Sequence, residues 1–205
     1  TYSEIRLQLG VLEKELWLYR ALNGRTIVFS KDIAEKSTTL TYGYDVALGI
    51  ASIIGKETAF GEAFHITSDE SYTWKEILEI YLDTIEKKTG MRPKVLLLDK
   101  SPHLEWIGAK WQVILDRYYN RRFDNSKIQQ YIDTSQFVRT ESGLISCLES
   151  FLCHPQFKKM GWGIQGTYDR ITGEWAPFSE ISIIKDCISY LLHRTVVPPK
   201  SKLSI

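Results

Sequence analysis

Helix-period apolar stripes alternate with short, unbroken apolar runs along the first half of the chain. The clearest stripe is Trp74, Ile77, Leu78, Tyr81, Leu82 and Ile85, spaced i, i+3, i+4, i+7, i+8 and i+11 on one helix face. Thr73-Trp74-Lys75-Glu76 in front of it is a capping box, in which hydroxyl and carboxylate each satisfy a backbone donor of the other residue. Lys87 and Lys88 suit the negative end of that helix, and Gly90 closes it. Leu9, Leu12, Leu16 and Tyr19 predict an earlier helix over about residues 7–22, stopped at Asn23-Gly24. Val46, Ala47, Ile50, Ile53 and Ile54 predict another, running from Asp45 to Gly55. Between these lie three strand candidates: Thr26-Ile27-Val28-Phe29, Ala63-Phe64-His65-Ile66, and Lys94 to Leu98, the last read as buried on both faces.

Strand and helix in turn point to α/β architecture with parallel pairing. A doubly wound sheet needs about five strands or more, so this sheet is incomplete. The second half is mostly helical. Ser101-Pro102 predicts a helix to about Trp111, Asp124 to Lys127 cap a short one through Ile132, and Leu144, Ile145, Leu148 and Leu152 form a further stripe. Thr167 to Trp175, with Thr172-Gly173 at its centre, reads as a turn or hairpin. Ile181, Ile184, Ile188 and Leu191 predict a final helix before a disordered tail containing Pro198-Pro199.

Composition narrows the function classes. The 205 residues carry 26 basic and 25 acidic side chains, so a net charge of +1 gives no basic excess for nucleic acid. No apolar run approaches the ~18–20 residues that span a bilayer. Cys147, Cys153 and Cys187 lack metal-ligand spacing and read as reduced thiols in a cytoplasmic protein. His65, His103, His154 and His193 are scattered without a metal-binding pattern, and His65 reads as a packed or edge residue. Gly161-Trp162-Gly163-Ile164-Gln165-Gly166 spells G-x-G-x-x-G. A dinucleotide loop needs a strand before it and a helix after it, and a flexible connection fits these flanks better. Arg117, Arg121 and Arg122 with Tyr118 and Tyr119 form a basic-aromatic patch, either a solvated surface or a grip on a phosphorylated ligand. No catalytic set assembles from these residues.

Three segments in order carry a resemblance. Thr41-Tyr42-Gly43-Tyr44-Asp45-Val46-Ala47, then Gly61-Glu62-Ala63-Phe64-His65-Ile66-Thr67-Ser68-Asp69-Glu70 with Thr73-Trp74, then Phe123-Asp124-Asn125-Ser126-Lys127-Ile128 resemble extended short-chain dehydrogenases/reductases. The likeness is to the C-terminal half of the NAD-dependent epimerase/dehydratase branch that acts on nucleotide sugars, and covers roughly residues 1–155. Thr1-Tyr2 resembles the segment just after that family's sixth sheet strand. The family keeps its glycine-rich NAD loop and its Tyr-x-x-x-Lys pair in the N-terminal half, and here no Tyr is followed four residues later by Lys.

The resemblance implies the C-terminal portion of a Rossmann-type fold: few parallel strands, a mostly helical substrate-binding part, and an absent N-terminal Rossmann core. Residues 1–155 would form the substrate-binding part, 156–196 an extension with a hairpin and a terminal helix, and 197–205 the tail. Tyr2 falls at the nicotinamide end of the cofactor. Thr39, Thr41 and Tyr42 line the nucleotide-sugar cleft. The arginine that several sugar epimerases place just before this segment aligns with Thr38, and Arg117 is a substitute for it. Asp45 and Asp124 to Lys127 are helix caps. The expected ligand is a nucleoside-diphosphate sugar. NAD or NADP belongs to a full-length parent, expected to be a cytoplasmic homodimer, and not to this chain alone. Tyr168-Asp169-Arg170 and Gly173-Glu174-Trp175 resemble epimerase-like proteins of surface-polysaccharide gene clusters. The competing expectation is a catalytically inactive, stand-alone nucleotide-sugar-binding or scaffold protein.

Overall fold

The computed structural model describes residues 1–105, 109–158 and 160–196, so the expected tail at 197–205 lies outside the described residues. In chain order the elements are α1 (Trp17–Leu22), β1 (Ile27–Ser30), α2 (Lys31–Ala34), β2 (Ser37–Thr38), α3 (Gly43–Ile53), β3 (Tyr72–Thr73), α4 (Trp74–Thr89) and β4 (Val95–Leu98). Then follow α5 (Ala109–Gln112), α6 (Thr140–Cys153), α7 (Trp162–Thr172) and α8 (Ile184–Leu191). Short 3-10 turns and two π turns join them.

The fold is mixed α/β, mostly helical, with few parallel strands. β1 pairs in parallel with β4, Ile27 opposite Val95 through Ser30 opposite Leu98. β2 and β3 make a two-residue antiparallel pair. β1 is buried throughout, whereas β4 is only partly covered and Leu97 is exposed, which corrects the expectation of burial on both faces. Both strands are edges of this two-stranded sheet, but α1 and α2 pack against β1.

The capping box forms as expected: Glu76 N donates to Thr73 Oγ1 at 3.2 Å while Thr73 N donates to Glu76 Oε2 at 2.6 Å. Every member of the α4 stripe is buried, and the core continues through Trp17, which stacks on Tyr81 with ring centroids 4.7 Å apart. α4 and α6 close the other side of that core, with Leu144, Cys147, Leu148 and Phe151 facing inward.

Several expected elements differ. The helix expected from residue 7 begins only at Trp17. Leu9 and Leu12 are buried as the stripe implies, but they exchange reciprocal backbone hydrogen bonds of 2.9 Å around Gly10, whose φ of 61° no right-handed helix accommodates. Ala63 to Ile66 is irregular and makes no ladder, so it is not a strand. The helix expected from Ser101 to Trp111 is a 3-10 turn at Pro102–Glu105 followed by α5. The expected hairpin around Thr172 is instead the C-terminal end of α7, with Gly173 as its cap.

The same correction explains the G-x-G-x-x-G letters, which are not a flexible connection. They enter α7, and a Cβ on Gly166 would lie 2.4 Å from Tyr190 O, so the glycine lets α7 and α8 touch backbone to backbone. α7 also reaches the main core through Tyr168, while Trp162, Ala176, Ile181 and Tyr190 form a small second cluster. A buried ionic knot fastens this extension: Asp169 accepts from Arg20 at 2.7 Å and Arg25 at 3.3 Å, with Glu174 and Glu180 completing the charges.

Candidate functional site

The second and third family-like segments meet each other. Asn125 accepts from Thr67 N at 3.2 Å and donates to Thr67 O and Asp69 Oδ1, each at 2.7 Å. Thr134 donates to Asp69 at 2.8 Å, and Glu70 accepts from Thr140 N at 2.7 Å. These residues staple the loop before α4 to the start of α6. Asp124 accepts from Ser126 N at 2.8 Å, ahead of a 3-10 turn at Ile128–Gln130 rather than a full helix. Asp45 is not a helix cap, which corrects that expectation. It lies inside α3, and its carboxylate accepts from Val138 N at 2.9 Å.

Beside this staple runs a strip that carries the expected site residues. Tyr2 and Tyr42 pair across a parallel bridge with ring centroids 5.7 Å apart, and Tyr2 N donates to Thr41 O at 3.0 Å. Tyr2 is 2% exposed, so its ring packs inward, and burial raises its phenol well above the ordinary tyrosine range. Thr41 is buried and accepts from Ser68 N at 2.9 Å. Tyr42 donates to Glu4 at 2.9 Å. Thr39 is half-buried, 3.0 Å from Ser71 Oγ and 3.2 Å from Arg121 O.

Arg117 stands at the end of a π turn, Val113–Arg117, that continues α5. Its Nε donates to Gly10 O at 3.0 Å, its guanidinium lies over the Trp74 ring at 5.4 Å, and it pairs with Asp116. Burial holds that guanidinium below its ordinary value. Asp116 opposes the shift, and the neighbouring Arg121 and Arg6 reinforce it. Arg117 is therefore a largely enclosed cation.

Arg121 is the more open one, with a quarter of its side chain exposed. It pairs with Asp116 at 2.6 Å and donates through Nη2 to Thr38 Oγ1 at 2.6 Å, while its Nε has no partner. Arg121 is thus brought to Thr38 from 83 residues away. Arg121 belongs to the basic-aromatic patch, but its meeting with Thr38 is tertiary and leaves no periodic signal. Arg117 and Arg121 against the single Asp116 leave an excess positive charge in this corner, suited to a phosphate or carboxylate.

Of the G-x-G-x-x-G glycines, a Cβ on Gly163 would meet Ser189 and His193 and one on Gly166 would meet Tyr190, so these two serve the packing of α7 on the segment from α8 onward. Among the described residues, no three His, Cys, Asp or Glu side chains gather to hold a metal ion. His65 is exposed with its ring edge on Phe123. No described helix is long and apolar enough to cross a membrane.

Comparison with known proteins gives a fold likeness. No family model matches the chain, and no curated protein matches it. Among solved structures it is similar to UDP-glucuronic acid 4-epimerase from Bacillus cereus in complex with UDP-glucuronic acid and NAD. That likeness has a TM-score of 0.51 at 18% identity, over 74% of this chain and 42% of that one. The same enzyme in complex with NAD matches with a TM-score of 0.48 at 17% identity, over 69% of this chain and 39% of that one. The chain thus spans less than half the length of these enzymes. At such identity the likeness is one of fold.

Proposed function

We propose that this chain is the substrate-binding, C-terminal half of an NAD-dependent nucleotide-sugar epimerase/dehydratase, and that Arg121 grips the ligand's diphosphate. The observation that supports the reading is the 2.6 Å bond from Arg121 to Thr38, the residue with which the resemblance aligns the epimerases' arginine. Support comes from the fold likeness to an epimerase bound to UDP-glucuronic acid and NAD, and from the order of the family-like segments.

In this reading residues 1–155 present the nucleotide-sugar face, with Thr39, Thr41 and Tyr42 shaping the strip beside Arg121. Residues 156–196 are an extension locked on by Arg20 and Asp169. Arg117 backs Arg121 electrostatically, and Tyr2 lies below the nicotinamide end. NAD or NADP would be held by a preceding Rossmann part packed on α3, whose Tyr44, Leu48 and Ile50 are exposed, as is Ile54 just after it. The parent would be a homodimeric cytoplasmic enzyme of surface-polysaccharide (lipopolysaccharide, O-antigen or capsule) biosynthesis. What this chain's own residues supply is binding and orientation, which lower a barrier by several kcal/mol without chemistry of their own (~7–11 in the best-oriented cases).

The test is calorimetric titration of the chain with UDP-glucuronic acid, alongside Arg121→Ala. The expected result is binding by the native chain and a loss of about tenfold or more in the variant, the contribution of one charge-assisted contact. Failure of the native chain to bind any nucleoside-diphosphate sugar overturns the proposal.

A further inference from the structure

A second site lies on the other side of the Gly10-Val11 turn. Gly10 O accepts from Arg117, while Val11 lines a cavity of about 630 Å³ between the Leu9–Leu16 stretch, α5 and the start of α7. That size suits a small organic ligand. Its apolar surface includes Val11, Leu16 and Ile164, and its polar residues include Glu13, Glu15 and His193. Among the described residues no lysine or arginine lines it.

The polar groups are mostly acceptors. His193 Nδ1 donates to Ser189 O at 2.8 Å, which fixes the ring's orientation. Glu15 is balanced by Lys14 at 2.8 Å. Glu13 has no such close cation: Arg6 approaches only to 4.0 Å, the neutral Gln8 amide donates to it at 3.3 Å, and its side chain is 52% exposed. An apolar surface with one loosely compensated carboxylate and acceptors around it repels phosphates and attracts a donor-bearing cation.

We propose that this cavity binds a small organic cation, a primary ammonium on an apolar body, with the ammonium at Glu13 and the body against Leu16 and Ile164. The site is independent of the nucleotide-sugar reading and stands or falls without it.

Calorimetric titration of the whole chain with 2-phenylethylamine, 2-phenylethanol and 3-phenylpropionate tests it. The amine binds, the alcohol binds about tenfold more weakly for want of the charge, and the carboxylate does not bind. Glu13→Gln removes the preference for amine over alcohol. Ile164→Trp, at a position 38% exposed, fills the cavity and abolishes both. No binding of the amine, equal binding of amine and carboxylate, or an amine affinity unchanged in Ile164→Trp overturns the proposal. Should Ile164→Trp melt well below the native chain, Glu13→Gln decides, and an undiminished amine preference there overturns it. Amine binding by a chain that ignores UDP-glucuronic acid upholds this site and refutes only the other.

Discussion

Replacing Asp169 with Asn is the severest test of how residues 156–196 are held. The carboxylate has no exposed surface and accepts from Arg20 at 2.7 Å, Arg25 at 3.3 Å and Tyr190 at 2.7 Å. Asparagine keeps the shape but loses the charge, and offers one acceptor atom where the carboxylate uses two. Removing one partner of a buried ion pair costs about 3–5 kcal/mol. Arg20 keeps Glu174 and Arg25 keeps Glu180, each at 3.0 Å, so neither guanidinium is stranded and the lower end applies, about 3 kcal/mol. For a chain of this length that is a drop of roughly 6–12 °C in Tm. Urea unfolding followed by tryptophan fluorescence, with thermal melts by circular dichroism, reads both. Asp99→Asn is the control: its pair with Lys31 is 89% exposed and should leave the melt unmoved. A loss for Asp169→Asn below about 1 kcal/mol would refute the claim that the knot fastens the extension.

Three further outcomes follow from buried groups. Burial pushes the His103 imidazole down to about 4 from an ordinary 6.5, so the unfolded chain binds the extra proton first. Stability is therefore full above about pH 6.5 and falls toward pH 4 by up to about 1.4 kcal/mol per pH unit; urea midpoints of His103→Gln across that window should lose this slope. Gly166→Ala drives a methyl to within 2.4 Å of Tyr190 O and should cost about 1–3 kcal/mol in the same assay, whereas an unchanged stability would mean that α7 and α8 are not in backbone contact. Tyr2→Phe removes a buried hydroxyl with no hydrogen-bond partner, so it should leave stability equal or raise it by up to about 1 kcal/mol; a clear loss would show a partner for that hydroxyl.

Legibility in the sequence followed locality. α4 was readable end to end because cap, stripe and terminal glycine all lie within the helix. The parallel pairing of Ile27–Ser30 with Val95–Leu98 followed from strand–helix alternation, but the small size of the sheet left Leu97 uncovered. Leu9 and Leu12 show the limit of periodicity: both are buried as their spacing implies, yet Gly10 turns the chain between them. α7 was hidden by its own glycines, which argue for a loop until α8 is placed against them. At the candidate site, the threonines and tyrosines were read from a resemblance and Arg117 from a local patch. The bond from Arg121 to Thr38 required the fold itself.

The central claim is that Arg121 holds a diphosphate. Calorimetric titration of the native chain and Arg121→Ala with UDP and with uridine isolates that contact. The account predicts that the native chain prefers UDP by about tenfold or more, and that the preference collapses in the variant while uridine binding stays the same. Equal affinity of the native chain for UDP and uridine, or a preference that survives Arg121→Ala, would contradict it.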